Sequence, residues 1–350
     1  SLKTGDEVAG EVVRVQAACA QAAWTRTTSP ATSSPVFKEP DTDMASPFGP
    51  MRLIVNPRAG SGAVGKTLPV LTDALRRHEL EFDVVETTAA GHASQAATDA
   101  LSEGIRYLVA VGGDGTVHEV VNGMFDGTEP RAPGTVLGVA GAGSGCDFIR
   151  TFGLDRKPEV VARHLAGDMT MDIDVGVVDY TDREGQQQRR LFANIAEVGY
   201  GAEVVRRAER YPRWFGRLRY LIGAYESIAK AQRPETTVKV AHTEATVPLV
   251  ELVVANCQFF GGAMKVAPRA LPDDGKFNVQ VYTGPKSQVF TLTMKLYRGE
   301  HLPDPNITEW QSPTVELAPD PPLLVEADGE VLGYTPAQFS LLNRVLTLKI

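Results

Sequence analysis

The chain has 350 residues, 43% of them hydrophobic and 22% charged, with 35 basic against 43 acidic side chains and a formal charge of −8. That length predicts two domains, and that composition excludes a largely disordered, collagenous or membrane-spanning chain. The acidic balance argues against bulk affinity for polyanions, so no nucleic-acid partner is expected.

Cys19, Cys146 and Cys257 are odd in number and far apart. They suit neither a disulfide framework nor a zinc ribbon, and a reducing cytoplasm is the expected compartment. No run reaches the ~18 apolar residues of a spanning helix, and the start lacks a basic-then-apolar secretory signal. Residues 1–50, rich in Ser, Thr, Pro and Ala from Ser29 to Pro50, read as a flexible leader, with one short helix over Thr4–Ala23.

From Met51 the pattern sharpens. Met51–Val55 reads as a strand, Leu68, Leu71 and Leu75 as a helical face, Phe82–Glu86 as a second strand and Ala93–Leu101 as a helix. Tyr107–Val111 reads as a buried strand. Val117, Val120, Val121 and Met124 mark a helix by their i, i+3, i+4, i+7 spacing, and Val136–Val139 a fourth strand. Strands alternating with helices predict a doubly wound parallel sheet over 51–170.

After Met171 the texture becomes strand-rich. Ile173–Val178, Leu191–Ala196, Thr236–Ala241, Val250–Asn256, Phe277–Tyr282, Thr314–Leu317, Leu323–Ala327 and Val345–Ile350 read as strands. Helices are expected only at Pro212–Ala231 and Gln288–Tyr297. This predicts a β-sandwich over 171–350, so the fold class is α/β plus β.

Five short motifs carry chemistry. Gly112-Gly113-Asp114-Gly115-Thr116 sits between a strand and a helix. There, free N–H groups and the positive helix end converge where a phosphate can sit, with Asp114 a candidate Mg²⁺ ligand and Thr116 a phosphate donor. Gly141–Phe148 is a second Gly-rich turn at the same sheet end, with Ser144 as a donor and Asp147 as a second acidic candidate. Ala267–Phe277, with Asp273 and Asp274, reads either as a strand-entering turn or as a cation site. In Glu326–Glu330, Asp328 and Glu330 alternate on an extended segment and point one way. The string Gly60–Thr67 matches G-x-x-x-x-G-K-[ST], so a P-loop with Lys66 stays open as an alternative. His118-Glu119 lacks the second His of a zinc protease, and no G-x-S-x-G elbow exists.

Arg206, Arg210, Arg213 and Arg217 lie among Tyr211, Trp214, Phe215 and Tyr220, with Glu209 as the opposing acid. That mixture suits an anionic membrane surface, and equally a solvated helix with its aromatics on the core.

Taken in order, these segments resemble the diacylglycerol kinase catalytic family, which includes sphingosine and ceramide kinases and bacterial lipid kinases. The resemblance runs from Met51 to Ile350. It rests on Asn56-Pro57 before Gly60 and Gly62, Thr87 before Gly91-His92-Ala93, the Gly112–Thr116 turn, and the Gly141–Phe148 turn. Asn194 with Gly199–Ala202, Asn256 with Gly261-Gly262, Ala267–Phe277, and Asp328-Gly329-Glu330 before Thr335-Pro336 complete it. The Gly112–Thr116 turn is shared with NAD kinases.

The resemblance implies ATP and Mg²⁺ as cofactors and a lipid hydroxyl as acceptor, bound by the 171–350 domain. It implies ATP contacts from Asn56, Thr87, Gly113, Asp114, Gly115, Thr116 and Ser144, and Mg²⁺ at Asp114 and Asp147. Asp328, supported by Glu330, would be the base, and Leu271, Asp274 and Lys276 would hold a structural cation. Gly141, Ser144 and Cys146 stand where the family's third motif carries Pro, Thr and Asn. Transient contact with the inner membrane surface is expected, through Arg206, Arg210, Arg213 and Arg217. A homodimer, an NAD kinase and a non-catalytic ATP-binding regulator are left open.

Overall fold

The computed structural model describes residues 46–141, 146–212, 215, 218–230 and 233–350. The first half alternates β1 (Met51–Val55), α1 (Ala59–Arg77), β2 (Phe82–Glu86), α2 (His92–Ser102), β3 (Tyr107–Gly112) and α3 (Asp114–Met124). A small hairpin of β4 (Phe125–Asp126) and β5 (Glu129–Pro130) precedes β6 (Val136–Gly141), α4 (Phe148–Thr151) and α5 (Pro158–Ala166).

Strands β2, β1, β3 and β6 lie side by side and parallel. Alternation of side chains splits each strand between two cores. Met51, Leu53, Val55, Tyr107 and Val109 pack with Leu71, Leu75 and Leu165 of α1 and α5. Ile54, Leu108 and Ala110 pack with α2 and α3 through Ala97, Val117 and Val120. The strand order reverses between β1 and β3, so the crevice outside their carboxyl ends falls at Asn56 and Gly112-Gly113, where ligands of open α/β sheets bind.

In the string Gly60–Thr67 the Lys66-Thr67 pair lies inside a helix rather than at its head, unlike the G-x-x-x-x-G-K-[ST] reading. Gly60, Ser61 and Gly62 take left-handed φ values of 58°, 57° and 83°, and the helix runs on from there. The Thr67 hydroxyl donates to the Ala63 and Val64 carbonyls at 3.0 and 3.2 Å. The P-loop alternative is therefore corrected: its hydroxyl is committed to its own helix.

The second half runs β7 (Thr170–Thr181), β8 (Gln187–Phe192), β9 (Ile195–Gly199), α6 (Tyr200–Ala208), α7 (Leu218–Lys230), β10 (Glu235–Val240), β11 (Thr243–Pro248) and β12 (Glu251–Ala255). It continues through β13 (Phe277–Tyr282), α8 (Val289–Leu296), β14 (Ile307–Ser312), β15 (Thr314–Leu317), β16 (Leu324–Ala327) and β17 (Glu330–Lys349). One layer is β14-β13-β12-β9-β16; β11, β10, β15, β7 and β8 form the other, and β17 pairs with strands of both. Between them lie Phe192, Phe277, Phe339, Val254 and Val325, with Phe192 and Phe277 stacked at 5.6 Å. Each such ring, fully buried, contributes on the order of 1.5–3 kcal/mol.

Several boundaries differ from the sequence reading. The strand expected over Leu191–Ala196 breaks at Ala193-Asn194 into β8 and β9. Strands β11 and β14 and helix α6 were not foreseen, and of the helix expected over Pro212–Ala231 the described part is α7. Hydrogen bonding crosses the expected boundary near residue 170: Thr347 and Leu348 of β17 pair in parallel with Val136 and Leu137 of β6.

Candidate active site

The site begins where β3 ends. A Cβ on Gly112 would collide with the Thr116 hydroxyl, so the residue before this turn must be glycine. Thr116 Oγ1 is buried with no partner. The first-turn N–H groups of Asp114 and Gly115 have no intrahelical carbonyl to reach. An orphan hydroxyl beside a helix N-terminus fits an anion such as a phosphate.

Neighbouring strand ends frame this turn. The Asn56 N–H donates to the Val111 carbonyl at 3.0 Å, and its Oδ1 accepts the Arg58 N–H at 3.1 Å. The Thr87 N–H donates to Val55 at 2.8 Å. Glu119 on α3 caps α2, accepting the Gly91 and Ala93 N–H groups at 3.0 Å each, and so fixes the loop after Thr87. Ser144 lies outside the described residues.

Three carboxylates tie the halves together. Asp114 accepts the N–H groups of Asp147 and Phe148 at 2.9 Å. Burial, then the nearby Asp147 charge, pushes its carboxyl up to about 7. Asp147 accepts the N–H groups of Gly262 and Ala263 at 2.6 and 2.9 Å and the Arg150 Nε–H at 3.0 Å.

Asp328 sits at a left-handed φ of 52°. It accepts the N–H groups of Ala193, Asn194 and Ile195 at 3.1, 2.9 and 3.2 Å, which explains the break between β8 and β9. His118 Nδ1 lies 3.0 Å from its Oδ2. Glu330 lies against the head of α3, where a Cβ on Gly115 would be 2.9 Å from its Oε1. Asp114 and Asp328 thus lie near one another, and burial of the Cys257 thiol, then the charges of Asp328 and Asp114, pushes it up.

The expectation that Asp114 and Asp147 ligate Mg²⁺ meets a different geometry. Their lone pairs are largely committed to backbone N–H groups, and among the described residues no three acidic, His or Cys side chains form a metal cluster. They do not fit as a resident metal site.

The expected cation turn is also braced by protein groups. Asp274 accepts the Lys276 N–H at 3.0 Å, and Leu271 is exposed. Arg344 reaches the Asp273 carbonyl at 2.9 Å, bringing its own positive charge. The buried anchor is Asp174, which sequence reasoning missed. Its side chain accepts from Gly275 and Arg344 at 2.7 and 2.8 Å.

Of the four arginines expected at a membrane, Arg213 and Arg217 fall outside the described residues. Arg206 pairs with Glu203 at 2.7 Å, and Arg210 is exposed. The neighbouring Arg207 is buried and pairs with Glu203 at 3.3 Å and Glu226 at 3.9 Å. Glu209 is therefore not the sole opposing acid. Among the described residues no helix is long and apolar enough to cross a membrane.

His118 and the acidic face of the sandwich were also missed. Four residues after Asp114 on one helix, His118 shares its face; that spacing was the available signal. Glu197 and Glu326 pair across β9 and β16, and Glu251 lies opposite Gly199. Burial raises all three, Glu197 to about 7.

Residues 50–178 match the diacylglycerol kinase catalytic domain, and 194–350 match the YegS C-terminal NAD kinase beta sandwich-like domain. A diacylglycerol kinase of Staphylococcus haemolyticus is 29% identical, covering 84% of this chain and 86% of its own. One from Bacillus subtilis is 28% identical, covering 84% and 93%. A crystal structure of a diacylglycerol kinase from Bacillus anthracis shares the fold, with a TM-score of 0.65 at 22% identity over 87% of this chain and 97% of that one. The glycine turn and the Asp328 turn each fall inside one of the two matched domains, and the chain belongs to the diacylglycerol kinase family of lipid kinases.

Proposed function

We propose that the protein transfers the γ-phosphate of ATP, taken as its magnesium complex, to a hydroxyl of a lipid such as diacylglycerol. The observation that carries this is the meeting of two turns. Glu330 rests against Gly115, and Asp328 contacts His118, so the acidic turn of the sandwich closes on the glycine turn of the parallel sheet. Phosphoryl transfer relies on positioning and charge stabilisation rather than covalent chemistry, and such a crevice suits it.

Within this reading, the Thr116 hydroxyl and the head of α3 hold the triphosphate. The acceptor hydroxyl approaches from the sandwich side and loses its proton at the Asp328–His118 pair. Exposed Arg210 meets the anionic lipid surface, whereas Arg206 and Arg207 are largely neutralised by their glutamates. The test is transfer of label from γ-labelled ATP to a panel of dispersed lipids, with NAD included. Label on a lipid supports the reading; label only on NAD, or on nothing, contradicts it.

A further inference from the structure

Helix α3 carries the glycine turn at its head and grips the second half of the chain near its tail. The grip is Asn122, seven residues after Gly115 and so about two turns along the helix. Its Nδ2 donates to the Leu191 carbonyl at 2.9 Å, and its Oδ1 accepts the Leu191 N–H at 3.0 Å. The other hydrogen of Nδ2 goes to the His118 carbonyl on its own helix, at 2.8 Å. These partners fix the amide: turned over, its oxygen would face two carbonyls and its nitrogen an N–H group.

Leu191 lies on β8, which among the described residues pairs with β7 alone. An edge strand leaves a row of N–H and C=O groups with no strand to receive them. Asn122 supplies what a neighbouring strand would, one donor and one acceptor matched to both groups of a single residue. The gripped residue stands two before Ala193, the first of the three N–H groups that hold Asp328. The opposite flank of the α3 tail is seated on α2. A Cβ on Gly123 would collide with the Ser94 carbonyl, and Thr98 Oγ1 donates to the Gly123 carbonyl at 3.0 Å. The tail is thus held on both sides, and the β8 side leads directly to Asp328.

Building on the lipid kinase reading, we propose that Asn122 is a positioning residue for the transfer. Its amide is committed to backbone groups, so it acts through Leu191. It sets where the N–H groups of residues 193–195, and with them the Asp328 turn, stand relative to the glycine turn at the head of α3. Phosphoryl transfer depends on such spacing, and a displacement of about 1 Å made far from the chemistry can cost ~10²-fold in rate. The glycine turn belongs to α3 itself, so its hold on the nucleotide does not depend on where β8 stands. Losing the grip therefore lowers kcat and spares ATP binding.

The test is Asn122→Ala, read by urea unfolding, MgATP binding, and kcat and KM with dispersed diacylglycerol. The expected result is a folded protein that binds MgATP within about threefold of wild type, with kcat for lipid phosphorylation lower by ~10–100-fold. A kcat within about threefold of wild type, whatever the unfolding midpoint, would show a merely structural clamp and overturn the role. A loss confined to the KM for ATP would overturn it as well. Should that variant not fold, Asn122→Asp decides by the same readouts. It keeps the shape and an acceptor for the Leu191 N–H, but it has no N–H to give the Leu191 carbonyl. Wild type that labels no lipid contradicts the kinase reading and the role with it, a result distinct from those seen in the variants.

Discussion

Gly262 donates its backbone N–H to the Asp147 carboxylate at 2.6 Å, across 115 residues of sequence. The helix start after the second Gly-rich turn is thereby fastened to a loop of the sandwich half. Asp147→Ala leaves the N–H groups of Gly262 and Ala263 without their acceptor. A loss of ~2–4 kcal/mol in urea unfolding is expected, with kinase activity falling as the crevice loosens. An unchanged midpoint would show that this fastening is idle.

Thr116 separates a binding role from a structural one. Its hydroxyl is buried and unpartnered in the protein alone. Thr116→Val should leave thermal stability equal or slightly raised, because an unsatisfied buried group is removed. The KM for ATP should rise by ~10–100-fold, the worth of a hydrogen bond to a charged group. A lowered Tm with unchanged KM would place the hydroxyl in the fold instead.

The glutamates of the sandwich predict the pH dependence of stability. Glu197 is raised to about 7 by burial, from an ordinary value near 4.3. Between these values the folded chain binds more protons than the unfolded one. Stability is therefore highest at the acidic end and falls as pH rises toward 7. Glu197→Gln removes the ionisation and should raise Tm at pH 8 by roughly 3 °C or more, with little gain near pH 5. Equal gains at both pH values would contradict this sign.

The arginines are not equivalent. Arg210→Ala should weaken sedimentation with anionic vesicles by about fivefold, from ~1 kcal/mol per basic residue at such a surface. Arg207→Ala should instead destabilise the fold, since it empties a buried position and removes the ion pairs to Glu203 and Glu226. Vesicle binding unaffected by Arg210→Ala would move the lipid contact elsewhere.

The parallel half was legible because its strands are short apolar runs followed at once by helical spacing, as at Tyr107–Met124. The sandwich was harder. β11 and β14 carry too few apolar residues for their alternation to stand out, and α6 follows β9 with no spacer. The break at Ala193-Asn194 could not be read locally, because its cause, Asp328, lies more than a hundred residues downstream. Asp114, Asp147 and Asp328 were found by their turns. Their partners were not, since Gly262 and Ala193 meet them through backbone N–H groups that carry no sequence signature. His118 was visible only as a failed metalloprotease motif until the fold placed Asp328 beside it.

The account turns on whether the Asp328 turn serves phosphoryl transfer to a lipid. The direct measurement is transfer of label from γ-labelled ATP to dispersed diacylglycerol by wild type and by Asp328→Asn, with folding of both verified. The prediction is labelled lipid from wild type and a rate lower by ~10²–10⁴ from the variant. Equal rates from the two folded proteins would contradict it.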